Sequence, residues 1–133
     1  MKSHPYVRAY LAGIALPTVL LFVALGVFLV VHFGGGHLAV ERLLVFPMAV
    51  VPNLWGLWNV LYVARGRRWS LGLHGAVLPF LLLPAGLFLA RAFELPLYTP
   101  TRVAVVFPVA LVAYYLAWKH VVGFLNRLIG VAP

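Results

Sequence analysis

The sequence predicts an all-α, polytopic membrane fold with four transmembrane helices. Three observations carry that expectation. Of 133 residues, 65% are hydrophobic and 9% charged, whereas soluble domains run to roughly 45–50% apolar and about 25% charged. A water-soluble or disordered chain of this length has no interior that could hide so much apolar surface. The few charges also cut the chain into four long uncharged stretches. Finally, the second half of the chain echoes the first, so the helices read as a tandem duplication of a two-helix hairpin within one domain, residues 1–133.

A hydrocarbon core of about 30 Å needs about 20 helical residues at 1.5 Å each. Residues 9–40, 43–64 and 69–90 carry no charge over at least that length. The first stretch predicts a helix over 7–33. Lys2 and Arg8 precede it as they would a signal peptide, but its apolar run far exceeds the roughly 7–15 residues of a signal core and shows no clear small-x-small cleavage site. It is therefore expected to be retained. The second and third stretches predict helices over 43–64 and 70–93. The fourth, residues 103–118, is shorter. Thr101 and the snorkelling stem of Lys119 extend it to 101–124, with Thr99 as N-cap and Pro100 at the first helical position. The connections are brief: Gly34-Gly35-Gly36-His37 begins one, Arg65-Gly66-Arg67-Arg68 forms the next, and residues 94–100 form the last.

Basic residues set the orientation. One side of the membrane receives Lys2, Arg8, Arg65, Arg67, Arg68, Lys119 and Arg127, the other only Arg42, Arg91 and Arg102. Both termini are expected in the cytoplasm, and the setting expected is a bacterial cytoplasmic membrane. Trp55, Trp58, Trp69 and Trp118, with Tyr6, Tyr10, Tyr62, Tyr114 and Tyr115, fall on the same half, where amphipathic rings sit at headgroup level. The net charge of +8 reads as attraction to anionic lipid. Three arginines in one turn are too small a footprint for nucleic acid, which is not expected as a partner.

The repeat rests on glycines, prolines and phenylalanines at a near-constant offset. Gly13 and Pro17 match Gly75 and Pro79; Gly26, Phe28 and Phe33 match Gly86, Phe88 and Phe93. Phe46, Pro47 and Ala49 match Phe107, Pro108 and Ala110. Each unit holds two spans, so the units enter the membrane in the same sense, related by a pseudo-two-fold axis along its normal. Ala110, Ala113 and Ala117 form a small-residue stripe on helix four, matched by Ala49, Pro52 and Gly56 on helix two. Small residues let helix backbones approach in lipid, so helices two and four are expected to meet along these stripes.

Candidate polar residues are few. Asn53 is placed near the bilayer midplane, and Asn59 shares a face with Trp55 and Tyr62. Those three could line a small pocket, although hydrogen bonding between helices is the favoured role for the asparagines. His74 is the one ionisable side chain well inside a span, with His120 at comparable depth. An intramembrane ionisable group is a functional candidate, and two imidazoles can ligate haem iron, so His74 and His120 are weak cofactor-binding candidates. A neutral, hydrogen-bonded His74 is favoured over that. Pro17, Pro47, Pro52, Pro79, Pro84 and Pro108 fall inside spans and favour bent helices.

The absences say more. There is no Cys and no Asp, and Glu41 and Glu94 lie at the outer boundary beside Arg42 and Arg91. Without Cys there are no thiolate metal sites, paired-carboxylate catalysis and a Ser-His-Asp triad have little to work with, and Gly34-Gly35-Gly36 lacks the lysine and spacing of a phosphate loop. No enzyme, metal or cofactor is expected. The leading expectation is a membrane protein that acts by association, as an accessory or scaffold subunit or a homo-oligomer. A small dimeric transporter or channel comes second, and a haem- or quinone-associated redox subunit third.

Overall fold

The computed structural model describes residues 4–34, 41–92 and 99–131, without the side chains of residues 32, 41–49, 89 and 90. The described residues are helical, joined by turns, and contain no strand. Helix α1 spans Pro5–Phe33, α2 Glu41–Ala64, α3 Leu71–Ala92 and α4 Pro100–Leu116. The last rod continues without a break through a π-helical turn, Ala117–Val122, into α5, Gly123–Leu128. The first three helices start and stop within two residues of the expected positions where described. The fourth rod runs past its expected end at 124, because residues 125–128 keep helical bonding beyond the last long apolar run.

Helix ends follow their local chemistry. Thr99 caps α4 through its Oγ1, which accepts from the Arg102 N–H at 3.3 Å, and Pro100 opens the helix. Gly66 closes α2 in the left-handed region at φ 70°. Its N–H bonds to Val63 O and the next N–H, of Arg67, reaches back to Tyr62 O, the paired bonds of a Schellman ending. Gly130 at φ 68° closes α5 in the same way, with Gly130 N on Arg127 O and Val131 N on Asn126 O.

Among the described residues, three helical segments are long and apolar enough to cross a membrane: Pro5–Val31, Leu71–Phe88 and Pro100–Leu128. Their outward faces carry side chains such as Phe22, Val30, Phe88 and Val105, all strongly exposed, which water would not tolerate in such numbers and lipid would.

The helices pair as hairpins, α1 on α2 and α3 on the fourth rod. In the first hairpin the backbones touch: a Cβ built on Gly13 would lie 2.6 Å from Trp55 O and 2.8 Å from Gly56 Cα. In the second, Gly75, the counterpart of Gly13, receives the Trp118 side chain. Pro17 and its counterpart Pro79 are both buried. The two hairpins also exchange a ring and a hole. Tyr10 of α1 lies over Gly56 of α2, whereas Gly72 of α3, at the position matching Tyr10, receives the ring of Tyr115.

Burial is concentrated at one end. Trp55, Leu78, Trp118 and Val122 form the core, with Leu16, Val51, Trp58, Leu71, Leu82 and Tyr114 around it. Most of these lie on the half nearer the Arg65–Arg68 turn, with Val51 and Leu82 close to the helix midpoints. The expected contact of helices two and four along small residues is not formed. Pro52 and Gly56 are buried, but Gly56 packs on Tyr10 and Ile14 of α1, while Ala113 is exposed. The hairpins meet through rings instead, Trp55 lying 5.0 Å from Tyr114 and 5.3 Å from Trp118. Glycine gives α1 a closer backbone approach to α2 than alanine offers on α4, so α2 spends its small face there. The side chains of Pro47, Ala49 and Arg42, the Glu41–Arg42 pairing, and residues 35–40 and 93–98 with Glu94 lie outside the described residues.

Candidate functional site

The polar side chains of the inner half form three groups. The deepest is an amide pair. Asn59 of α2 and Asn126 of α5 are fully buried. Asn59 Nδ2 donates to Asn126 Oδ1 at 2.8 Å and Asn126 Nδ2 donates back to Asn59 Oδ1 at 3.1 Å. Asn59 Nδ2 also donates to Ala9 O of α1 at 2.7 Å. One asparagine thus ties three helices, the role expected for it, since in lipid a polar group must find protein partners. Asn126 was not singled out by the sequence.

The π turn aims this group. Four residues of α-helix overshoot a full turn by about 40°, and a wider π turn drifts the other way. Mixing the two keeps Trp118, Val122 and Asn126 on one buried face. The arginines then hold the end of α5 in place. Arg8 Nη1 donates to Ile129 O at 3.3 Å, and Arg67 Nη2 donates to Val131 O, cations on carbonyls at a helix C-terminus.

The second group surrounds His74, which is 5% exposed. The Trp58 indole N–H donates to His74 O at 2.8 Å, and His74 Nε2 lies 2.9 Å from Trp58 O. A carbonyl can only accept, so Nε2 bears the proton. The imidazole stacks on Trp58 at 4.8 Å between centroids, with Tyr62 at 5.2 Å and the edge of Trp118 at 5.7 Å. The Trp118 indole N–H is buried without a partner among the described residues.

The third group opens from the second. Tyr62, Ala64, Arg65, Arg68, Trp69 and His74 line a cleft of about 420 Å³ at the α2–α3 turn. Both arginines and Trp69 are exposed.

The sequence candidates are therefore divided among different surroundings. Trp55, Asn59 and Tyr62 meet different partners: Trp55 turns to Tyr114 and Trp118, Asn59 to Ala9 and Asn126, and Tyr62 to His74 and the cleft. Asn53 is exposed, accepts from the Tyr10 hydroxyl, and lines a shallow groove with Ile14, Thr18 and Pro52. His120 is exposed on the π turn and does not join His74 at the cleft. The described residues contain no cluster of three or more metal-ligating side chains. No family model, curated protein or solved structure matches this chain.

Proposed function

We propose that this protein is a four-span component of a bacterial cytoplasmic membrane, with both termini in the cytoplasm, that acts by association and not by catalysis. α2 is 24 residues long, enough for about 36 Å at 1.5 Å per residue, and supplies the fourth crossing. The seven-to-three distribution of basic residues supports the orientation.

One observation carries the association reading. α4 contains no buried residue along Pro100–Leu116. Its exposed face presents Val105, Val109, Val112 and Leu116, at spacings of four, three and four, with Ala113 exposed beside them. That spacing is the seam of a helix pair. Valine has nearly one rotamer in a helix, so packing it costs little side-chain entropy, and Ala113 leaves room for a neighbouring backbone. A second copy of the chain meets the seam with the same seam. An accessory role toward another membrane protein uses the same face.

Cysteines introduced singly at Val105, Val109 and Val112 test this in native membranes, with Val103 (facing α3) and Val30 (outward on α1) as controls. Cross-linked dimers are expected from the three seam positions and not from the controls. Mild-detergent mass analysis then separates a dimer from a complex with another protein. A monomer mass with no cross-link at any seam position would refute association through α4.

A further inference from the structure

The cleft at the α2–α3 turn has the makings of a headgroup site. Of the five arginines near this end, Arg127 lies on α5, and Arg8 and Arg67 are spent on the carbonyls of Ile129 and Val131. Arg65 and Arg68 are exposed and have no partner among the described residues. The left-handed pair Gly66 and Arg67, at φ 70° and 58°, reverses the chain so that Arg65 and Arg68 flank one cleft. Trp69 follows, 57% exposed, two residues before α3, a helix long and apolar enough to cross a membrane, and indoles so placed settle at headgroup depth.

The floor is what makes the cleft selective. His74 is buried, and its Nε2–H is committed to Trp58 O. Its Nδ1 therefore presents a lone pair, an acceptor with no partner among the described residues. A ligand must supply negative charge to two guanidiniums and a hydrogen-bond donor to an imidazole nitrogen. An ammonium donor places a third cation beside the arginines and is repelled. A bare phosphate monoester satisfies the arginines but offers the imidazole little. A phosphodiester bearing a hydroxylated headgroup satisfies both.

We propose that this cleft binds an anionic glycerophospholipid through its headgroup, the phosphate between Arg65 and Arg68 and a headgroup hydroxyl donating to His74 Nδ1. Phosphatidylglycerol has this chemistry. Its acyl chains would lie along the apolar flank of the bundle, which makes a bilayer lipid the occupant in preference to a soluble phosphate.

The full-length protein in detergent, titrated with lipids of matched chains and read by native mass spectrometry, tests the assignment. Phosphatidylglycerol should be retained more strongly than phosphatidic acid, although the latter carries at least as much charge, and more strongly than phosphatidylethanolamine. R65Q/R68Q, at two exposed positions, should weaken retention roughly 30-fold, from about 1 kcal/mol for each basic residue at an anionic surface. His74→Phe keeps the ring stack and should abolish the preference over phosphatidic acid while leaving anionic lipid bound. The charge-matched R91Q/R102Q should change nothing. Equal or better retention of phosphatidic acid by the unaltered protein would overturn hydroxyl recognition. Equal losses in R65Q/R68Q and R91Q/R102Q would reduce the cleft to nonspecific charge, and displacement by soluble glycerophosphoglycerol at matched concentration would remove the lipid as its occupant.

Discussion

Gly13 and Gly26 lie on the same helix, and exchanging each for alanine separates packing from helix propensity. At Gly26 an added Cβ meets nothing within 4 Å. Alanine there gains up to about 1 kcal/mol of propensity and loses nothing. At Gly13 the same Cβ falls 2.6 Å from Trp55 O, 2.8 Å from Gly56 Cα and 2.9 Å from Trp55 C. These are backbone atoms of a neighbouring helix, and no rotamer change moves them out of the way. Ordinary contact begins near 3.4 Å, so 3.4 − 2.6 leaves about 0.8 Å by which α1 must withdraw from α2. A gap of that order forfeits a quarter to a half of the dispersion energy for atoms lining the crossing, and overpacked interiors commonly lose about 1–3 kcal/mol.

Propensity contributes equally at both positions and cancels. Gly13→Ala is therefore expected to be less stable than Gly26→Ala by about 2–3 kcal/mol, or roughly 30–150-fold in the folded-to-unfolded ratio at 1.4 kcal/mol per decade. Reversible denaturation in mixed micelles, followed by circular dichroism, measures the difference. If the two variants unfold within about 0.5 kcal/mol of each other, the scatter of ordinary surface changes, the backbone contact between α1 and α2 is not formed and the hairpin description is wrong.

The amide pair gives a second expectation. Asn59→Leu or Asn126→Leu alone strands a buried amide and should cost about 1–3 kcal/mol, while the double variant should cost less than the two singles summed, as a double-mutant cycle in micelles would show. At His74, glutamine can still donate to Trp58 O but gives up three ring contacts, each worth about 0.5–1.5 kcal/mol. Phenylalanine keeps the rings and loses one hydrogen bond worth about 0.5–1.5 kcal/mol. His74→Phe should therefore unfold later than His74→Gln, and the reverse order would mean that the hydrogen bond outweighs the stack. For topology, cysteines at Ser3 and Gly66 should be shielded from an impermeant thiol reagent in intact cells and one at Pro96 labelled. Labelling of Gly66 from outside would invert the assignment.

Helix number and position were legible because length and absence of charge are one-dimensional properties, and a bilayer sets both. The partners of each face were not. In an apolar helix nearly every face is hydrophobic, so the sequence does not distinguish the side turned to lipid from the side turned to protein. Ala110, Ala113 and Ala117 look like a packing stripe for that reason, yet Ala113 is exposed. The glycines were more informative, since only glycine admits the approach seen at Gly13 and Gly56, but their partners depend on the crossing geometry. The π turn left no mark in the sequence, and with it went the means of foreseeing that Asn126 would face Asn59. His74 was legible as a hydrogen-bonded side chain because a shallow intramembrane histidine has few alternatives. The stacking rings and the cleft above it come from three separate segments and were not.

The exchange of ring and hole between the hairpins bears on the association proposed for α4. In the first hairpin the tyrosine is on the first helix and the glycine on the second, and the two backbones lie in contact. In the second the glycine is on the first helix of the pair and bulky rings are on the other: Tyr115 fills Gly72 and Trp118 fills Gly75. Rings hold helices further apart than glycines do, and Tyr115 and Trp118 fill the inner half. Beyond Tyr114 the outer half of α4 touches α3 through Phe107, which lies edge-on to Phe80 at 5.0 Å, and every residue there remains exposed or half-buried. Had the second hairpin kept the glycine contact of the first, α4 would have buried a stripe against α3 as α2 does against α1. The same substitutions that anchor the inner core with tryptophan and tyrosine thus leave a valine seam on α4 uncovered. Refilling the gap is the way to probe that link: Ala110→Leu, which enlarges the α4 side of the groove lined by Pro79, Leu82 and Phe107, should tighten α4 on α3. If the seam is uncovered because the groove is underfilled, this variant should gain stability by about 1 kcal/mol, the order of one or two buried methylenes, while cross-linking at Val109 falls. Unchanged cross-linking in a stabilised variant would show that the seam is presented independently of how the second hairpin packs.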